Sequence, residues 1–399
     1  MFGPIPIRPA RTHRLAVAAV AAIAVTCLAA CGSGSSSSGS GGDAGSYKVG
    51  VVLQLSGVGS VYADTTQAGI KAGVTDVNSR KVAGRTITTD VADAGSDAQS
   101  ASTTCSRLVQ QDKVSALVVF VPGPQLIACN AIAKRTNVPV LSLSSGAGNI
   151  CAPNLVSLGL VPNQQSLPVI SYLMGTGKKS WYFFGADYST PRSTIAIAKP
   201  YVTSHGGTVV GESYEPMGTS DYSQDINRIV AAHPQVAFLN VVGNDDVALE
   251  KQWAADPRTK NIERVDILLG EGEAKALGPA GTDIWSSNAY FSSITGATND
   301  TFKANVQKAG LTGQPDVNAY VSYMQIEVLA AAVKKAGSDS GVGAALRTAS
   351  VDGPVGTLAV RNAFSFQPVY LAQAQADGST VIRKEVAAID PQLSCTAAS

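Results

Sequence analysis

Residues 47–390 of this 399-residue chain are expected to form an α/β protein with two Rossmann-like lobes, each a parallel β-sheet flanked by helices, joined by multiple hinge crossovers. Three features lead there. From Tyr47 onward, short β-branched runs alternate with helix-patterned stretches, the mark of parallel strands with right-handed crossovers. The alternation comes in two successive series, the second beginning near Gln165. A return segment after Asn288 then implies that the chain passes between the lobes more than once. Such an architecture makes a cleft, and in open α/β sheets ligands sit beyond the carboxyl ends of the strands.

In the first series, strands are expected at 48–55, 86–92, 116–121 and 138–143. Helices between them are expected at 64–78, 97–111 and 124–135. Asp64 and Asp97 suit helix capping, and Pro124 suits a helix start. The second series reads as strand 181–184, helix 191–204, strand 208–213, helix 221–232, strand 236–242, helix 246–254 and strand 265–269. A strand at 290–294 and a long helix at 319–336 follow. Residues 356–389 read as strands without helices. The N-terminal lobe is therefore drawn as 47–165 plus 288–349, and the C-terminal lobe as 166–287 plus 350–395.

The segment before the folded body sets its location. Arg8, Arg11 and Arg14 precede an apolar stretch, 15–30, that is short for a membrane span and typical of a cleaved export signal. Leu28-Ala29-Ala30-Cys31 resembles the bacterial lipobox, which implies removal of residues 1–30 and lipidation of Cys31 by a diacylglycerol thioether. Two acyl chains hold a protein on a membrane where one is marginal, at about 0.8 kcal/mol per buried methylene. Residues 31–46 are almost pure Gly and Ser, a flexible tether. The expected location is the outer face of the bacterial cell membrane, with the lipid as the sole membrane attachment.

Removing those three arginines takes 30 basic residues to 27 against 29 acidic, a net charge of −2. Nothing in that balance attracts nucleic acid. Cys105, Cys129, Cys151 and Cys395 remain in an oxidising compartment, with no C-x-x-C pair, so two disulfides are the simplest account and buried free thiols the alternative. Of three connectivities, Cys105 with Cys129 is favoured because both fall on consecutive expected helices flanking one strand; Cys151 with Cys395 would then close the second.

Five stretches carry a family resemblance: Val49-Gly50-Val51-Val52-Leu53-Gln54-Leu55-Ser56-Gly57, Pro139-Val140-Leu141-Ser142-Leu143-Ser144-Ser145-Gly146, Gly185-Ala186-Asp187-Tyr188, Pro216-Met217-Gly218-Thr219-Ser220-Asp221-Tyr222-Ser223, and Gly353-Pro354-Val355-Gly356. In order and spacing the chain resembles the type I periplasmic binding proteins over 47–390. It is most similar to the branch that binds branched-chain amino acids, urea and short-chain amides. Val241-Val242-Gly243-Asn244 and Asn288-Ala289-Tyr290-Phe291 lean toward the urea and amide members.

The candidate ligand residues follow the strands. Ser144 and Ser145 end a strand ahead of Gly146-Ala147-Gly148, where hydroxyls and close-approaching backbone N–H groups suit a carbonyl or carboxylate oxygen; in the resembled family this loop binds ligand. Pro122 and Gly123 would shape the same cleft, and Ser56 and Tyr62 lie in the first βα loop. Tyr188 can fold over a small solute. Glu271 lies just past Leu268-Leu269-Gly270 and matches in position the family's acidic ligand contact, with Glu273 an alternative register two residues on. Thr219 and Asp221 read as helix capping.

Catalytic chemistry is not evident. His205 and His233 are the histidines left after processing, each at an expected helix end. No G-x-S-x-G, G-x-x-x-x-G-K-[ST] or G-x-G-x-x-G occurs in the folded part. No cofactor and no metal is expected. The resemblance implies a lipid-anchored solute-binding protein of an ABC importer, with permease and ATPase as separate chains, that closes on a small polar solute without catalysis. An amide or amino-acid sensor would share every cleft residue, and a secreted α/β hydrolase lacks a visible nucleophile and base.

Overall fold

The computed structural model describes residues 45–143 and 152–391. Cys31, residues 31–44 of the tether, Ser144, Ser145, Cys151 and Cys395 lie outside the described residues. The folded body contains two sheets, each with a parallel core. The first is built from β1 (Tyr47–Leu53), β2 (Ile87–Asp93), β3 (Ala116–Phe120), β4 (Val140–Ser142) and β5 (Leu155–Ser157). Strands β3 and β4 are buried almost throughout, as parallel strands covered on both faces must be. Helices α1 (Ala63–Ser79), α2 (Ala98–Ser106) and α3 (Gly123–Arg135) make the crossovers. Asp97 caps α2 by accepting from the Ser100 N–H at 2.8 Å, whereas Asp64 sits in the first turn of α1 rather than at its cap. Cys105 of α2 and Cys129 of α3 form a disulfide, tying together the helices that precede and follow β3 in the chain.

The chain then enters the second lobe through α4 (Pro162–Gly175). There β6 (Ser180–Ala186), β7 (Thr208–Glu215), β8 (Val236–Asn240), β9 (Glu263–Asp266) and β10 (Trp285–Asn288) alternate with α5 (Ser189–Ser204), α6 (Ser223–Ala231), α7 (Gly243–Ala255) and α8 (Glu271–Leu277). The second sheet has an aromatic core on both faces. Trp181, Phe183 and Phe238 pack on one side, and Phe184, Tyr222 and Trp253 on the other.

After β10 the chain returns to the first lobe, where α9 (Ala297–Lys308), α10 (Val317–Ala336) and α11 (Val342–Leu346) complete its core. Asp316 caps α10 through the N–H groups of Asn318 and Ala319, both at 2.9 Å. Gly337, left-handed at φ 64°, ends it. α10 lies so close to α1 that a Cβ on Gly69 would collide with the Ala319 carbonyl.

Two expectations are corrected here. The strand expected at 290–294 is β10, five residues earlier, with Trp285 paired to Val265 of β9. Tyr290 is buried not in a ladder but in a stack on Tyr320, with ring centroids 5.2 Å apart. The second correction concerns the tail, which does not all belong to the C-terminal lobe. β11 (Ser350–Gly353), β12 (Gly356–Arg361) and β13 (Phe364–Phe366) extend the first sheet, because Phe364 pairs with Ser157 of β5 and buries its ring in that core. Only β14 (Val369–Ala374) and β15 (Thr380–Val386) join the second. The sheet orders are β11-β12-β13-β5-β4-β3-β1-β2 and β15-β14-β10-β9-β8-β6-β7. The chain thus passes between lobes three times, at 158–161, 289–296 and 367–368. Gln367 ties two of these passages to α10, accepting from the Tyr320 hydroxyl at 3.0 Å and donating to the Leu158 carbonyl at 3.2 Å.

Candidate functional site

A cavity of about 130 Å³ opens between the lobes at the carboxyl ends of the parallel strands. From the first lobe it is walled by Gln54, Val58, Gly59, Tyr62, Phe120, Pro122, Gly123 and Leu143, and by Val317, Asn318 and Val321 of α10. The second lobe brings Gln165, Tyr188, Thr190, Val242, Leu268 and Asn288, while Gly159, Leu160 and Ala289 come from the passages between lobes. The Phe120 ring meets Tyr62 edge-on, with centroids 5.9 Å apart, giving one aromatic wall. The polar liners are amides and hydroxyls, and no ionisable acid or base other than the tyrosine hydroxyls lines the cavity among the described residues.

Several of these polar groups are fixed by the structure around them. Gln165 donates to the Ile267 carbonyl at 2.6 Å and to Asn288 Oδ1 at 3.1 Å, and Asn288 in turn donates to the Leu269 carbonyl at 3.0 Å. Across the cleft, Gln54 donates to Gln125 Oε1 at 3.0 Å. Asn318 donates to Asp316 Oδ2 at 3.2 Å. Preset amides of this kind orient a solute at little cost on binding.

Tyr62 joins the lobes. Its hydroxyl donates to Glu273 Oε1 of α8 at 2.7 Å and accepts from the Gly243 N–H at 2.8 Å. Burial, then the nearby Glu273, holds that hydroxyl protonated well beyond its ordinary range. Next to it, Asn244 donates to the Gly57 carbonyl at 3.2 Å and to Ser60 Oγ at 3.1 Å. The turn Val58–Tyr62 of the first lobe therefore rests on the start of α7 in the second. Gly243 makes this approach possible: it sits at φ 62°, and a Cβ there would collide with the Val58 carbonyl.

Of the residues singled out in the sequence, Tyr62, Pro122, Gly123 and Tyr188 line the cavity, and Ser56 and Glu271 do not. The Ser56 hydroxyl turns outward and donates to Asp93 Oδ2 at 2.7 Å, at the end of β2. Glu271 is 3 % exposed and turned into the second lobe. Its Oε1 accepts from the Ser292 N–H at 2.7 Å and from the Ser292 and Thr380 hydroxyls at 2.9 Å each. Burial raises its carboxyl to about 7, with the Ser292 N–H and the Thr380 hydroxyl opposing the rise. Glu273 reaches the cleft only through Tyr62. Thr219 and Asp221 serve local structure, Asp221 Oδ1 accepting from the Ser223 N–H at 3.0 Å ahead of α6.

Phe120, Leu160, Gln165, Thr190 and Asn318 were not singled out beforehand. Gln165 and Asn318 each sit within a few residues of a helix start that follows a strand or crossover, a signal that was available. Phe120 and Leu160 look like any core residue in the sequence.

A two-lobed α/β body whose cavity is walled by strand ends from both halves defines a ligand-enclosing protein of the binding-protein class. Residues 46–379 match the family model described as periplasmic binding protein, and the chain belongs to that family, as a type I solute-binding protein of the ABC transporter kind. A Leu/Ile/Val-binding protein homolog 6 from Brucella suis is 25 % identical over 362 residues, covering 86 % of this chain and 92 % of its own. Among solved structures, an R. palustris solute-binding protein in complex with benzoate shares 22 % identity, with a TM-score of 0.79 and coverage of 88 % and 99 %. A second from R. palustris, in complex with 4-hydroxybenzoate, gives 20 %, 0.78, 86 % and 97 %. A leucine-binding protein from Thermotoga maritima gives 18 %, 0.74, 85 % and 98 %.

Proposed function

We propose that this chain is the lipid-anchored solute receptor of an ATP-driven importer, and that its cleft takes a small solute with a compact apolar body, a carboxylate or carboxamide end and no ammonium group. The observation that carries this reading is the wall of the cavity. Apolar cavities near 150 Å³ admit a benzene ring, and this one, at about 130 Å³, is on that scale. An ammonium bound out of water needs an anionic partner, and no carboxylate lines the cavity among the described residues. Glu271 faces Ser292 and Thr380 instead. A monocarboxylate with a ring or a branched chain fits this set better than an amino acid, and its apolar body fits better than urea.

Two of the similar structures hold benzoate and 4-hydroxybenzoate, solutes of this chemistry. Ser144 and Ser145, with the N–H groups of their loop, are proposed as the carboxylate-binding end. Glu271 is not proposed as a ligand contact. Binding is noncovalent, ligand touches both lobes in the closed form, and separate permease and ATPase chains read that form. The anchor is proposed at Cys31, from Leu28-Ala29-Ala30-Cys31.

A thermal-shift panel of benzoate, 4-hydroxybenzoate, isovalerate, benzamide, leucine and urea tests the reading. A solute at a hundred times its dissociation constant adds about 2.7 kcal/mol of stability. The aromatic or branched monocarboxylates are expected to raise the melting temperature, while leucine and urea leave it unchanged. A shift with leucine or urea alone would overturn the solute assignment.

A further inference from the structure

We propose that Asp246, Asp266 and Glu273 form a binding site for a divalent cation, best suited to Ca²⁺, inside the second lobe beneath the solute cavity. The three come from separate elements: the first turn of α7, the end of β9 and the first turn of α8. They are 0 %, 0 % and 1 % exposed, and one oxygen from each lies within 4.8 Å of the other two.

Proximity alone would not make a site, but the hydrogen bonding points the same way. Asp246 is fully buried and no donor from outside the cluster reaches either of its carboxylate oxygens, which face the Asp266 carboxyl; Asp266 Oδ2 and Glu273 Oε2 likewise accept from no outside donor. The remaining oxygens are used, Asp266 Oδ1 by the Leu268 N–H at 2.9 Å and Glu273 Oε1 by the Tyr62 hydroxyl at 2.7 Å. Glu271, two residues from Glu273, shows the contrast, with three donors on one oxygen. A buried carboxylate with no outside donor is costly unless a cation or a proton meets it. The nearby guanidinium of Arg264 is committed to Glu250, at 2.5 Å, and to the carbonyls of Ala280 and Thr282.

The geometry and the ligand type favour a hard cation. Carboxylate oxygens suit Ca²⁺, Mg²⁺ or Mn²⁺ rather than thiophilic metals. Ca²⁺ takes about six to eight oxygens at about 2.3–2.6 Å in a flexible geometry that tolerates three carboxylates set by separate elements, whereas Mg²⁺ demands a near-ideal octahedron at about 2.0–2.1 Å and keeps several waters. Four oxygens without an outside donor, on three carboxylates, would supply a large share of a Ca²⁺ shell. The ion would also fix Glu273, the acceptor of the Tyr62 hydroxyl, and so brace the contact that links the lobes. The site lies wholly in the second lobe and does not depend on the identity of the solute.

The test uses the mature protein stripped with EDTA and dialysed at pH 7.5, then titrated with CaCl₂, MgCl₂ or MnCl₂ against a KCl control. Bound metal is read by elemental analysis and stability by thermal melting. One Ca²⁺ per chain and a saturable rise of several degrees in melting temperature are expected. Both are expected to disappear in Asp246→Asn and to persist in Asp245→Asn, whose carboxylate faces the Gly218 N–H instead. Glu273→Gln serves as a second variant should Asp246→Asn fail to fold. No divalent cation bound by the wild type at millimolar concentration would overturn the proposal, leaving protons to neutralise the cluster. So would stoichiometric Ca²⁺ that both Asp246→Asn and Glu273→Gln retain.

Discussion

Tyr62 belongs both to the cavity wall and to the contact between lobes: its ring lines the cavity while its hydroxyl bonds Glu273 and Gly243 of the other lobe. Tyr62→Phe keeps the wall but leaves a buried carboxylate oxygen and a backbone N–H without their partner. The expected cost is about 1–3 kcal/mol, seen as a lower melting temperature and as weaker binding of whichever solute the wild type takes. Glu271→Gln is the converse case. It keeps the Oε1 acceptor for Ser292 and Thr380, so solute affinity is expected to stay within about twofold of wild type by calorimetry, a difference of some 0.4 kcal/mol. Asp225 of α6 gives a pH signature. Burial, then Glu215, raises its carboxyl to about 6, against an ordinary value near 4. Between those two pH values the folded state holds a proton that the unfolded state has released. Its contribution to stability is therefore full below about pH 4 and lost as pH rises through about 6. Asp225→Asn cannot titrate, so its melting temperature relative to wild type is expected to be highest at pH 7 and to fall as the pH is lowered to 4. A difference independent of pH would contradict this. At this scale the sequence was partly legible. Tyr62, Pro122, Gly123 and Tyr188, which line the cavity, were legible because they lie in the segments that follow strands. Ser56 and Glu271 also follow strands, but the direction of a loop side chain is set by tertiary partners, here Asp93 and Ser292. The carboxylate cluster was invisible because its members lie on three elements and share no spacing.

Among the elements, the turn Val58–Tyr62 rests on the start of α7 and joins the lobes across the cleft. Gly243→Ala puts a Cβ against the Val58 carbonyl and forces a left-handed conformation on a non-glycine residue. It is expected to weaken solute binding at least tenfold, with the radius of gyration by small-angle scattering remaining that of an open form at solute levels that close the wild type. Unchanged affinity and compaction would contradict the role given to this contact. The disulfide between Cys105 and Cys129 closes 24 residues, which the chain-entropy model values at about 3 kcal/mol. The double serine variant should lose stability on that order in urea unfolding, without change in solute selectivity. The pairing was legible because both cysteines fall on helices beside one strand. Helices α4, α8, α9 and α11 were not foreseen; α4 carries Pro168 in its interior, which interrupts the helical pattern. α8 and α11 span only seven and five residues, and α9 buries just Asn299, Phe302 and Val306, an apolar signal too sparse to mark a helix. Strand β10 was misplaced because Tyr290 and Phe291 make a stronger apolar run than Trp285-Ser286-Ser287-Asn288, yet they bury their rings where the chain leaves the sheet.

Across the whole molecule, the two β/α series and the return segment were legible as two lobes, since alternating patterns of this length leave few other arrangements. The division of the last strands was not. Runs of strands without helices carry no sign of which sheet edge they join, and β13 is fixed to the first sheet by the pairing of Phe364 with Ser157. That division gives the third passage between the lobes. With three short passages, hinge closure over the cavity is favoured over independent motion of the halves. The proposed function requires a cleft that grips a small monocarboxylate and releases it unchanged. Calorimetric titration of the mature protein with benzoate, alongside leucine, tests this most directly. One benzoate bound per chain, with a negative heat-capacity change, full chemical recovery of the benzoate and no heat from leucine, is the expected result. One leucine bound per chain with no benzoate bound, or benzoate recovered in altered form, would contradict it.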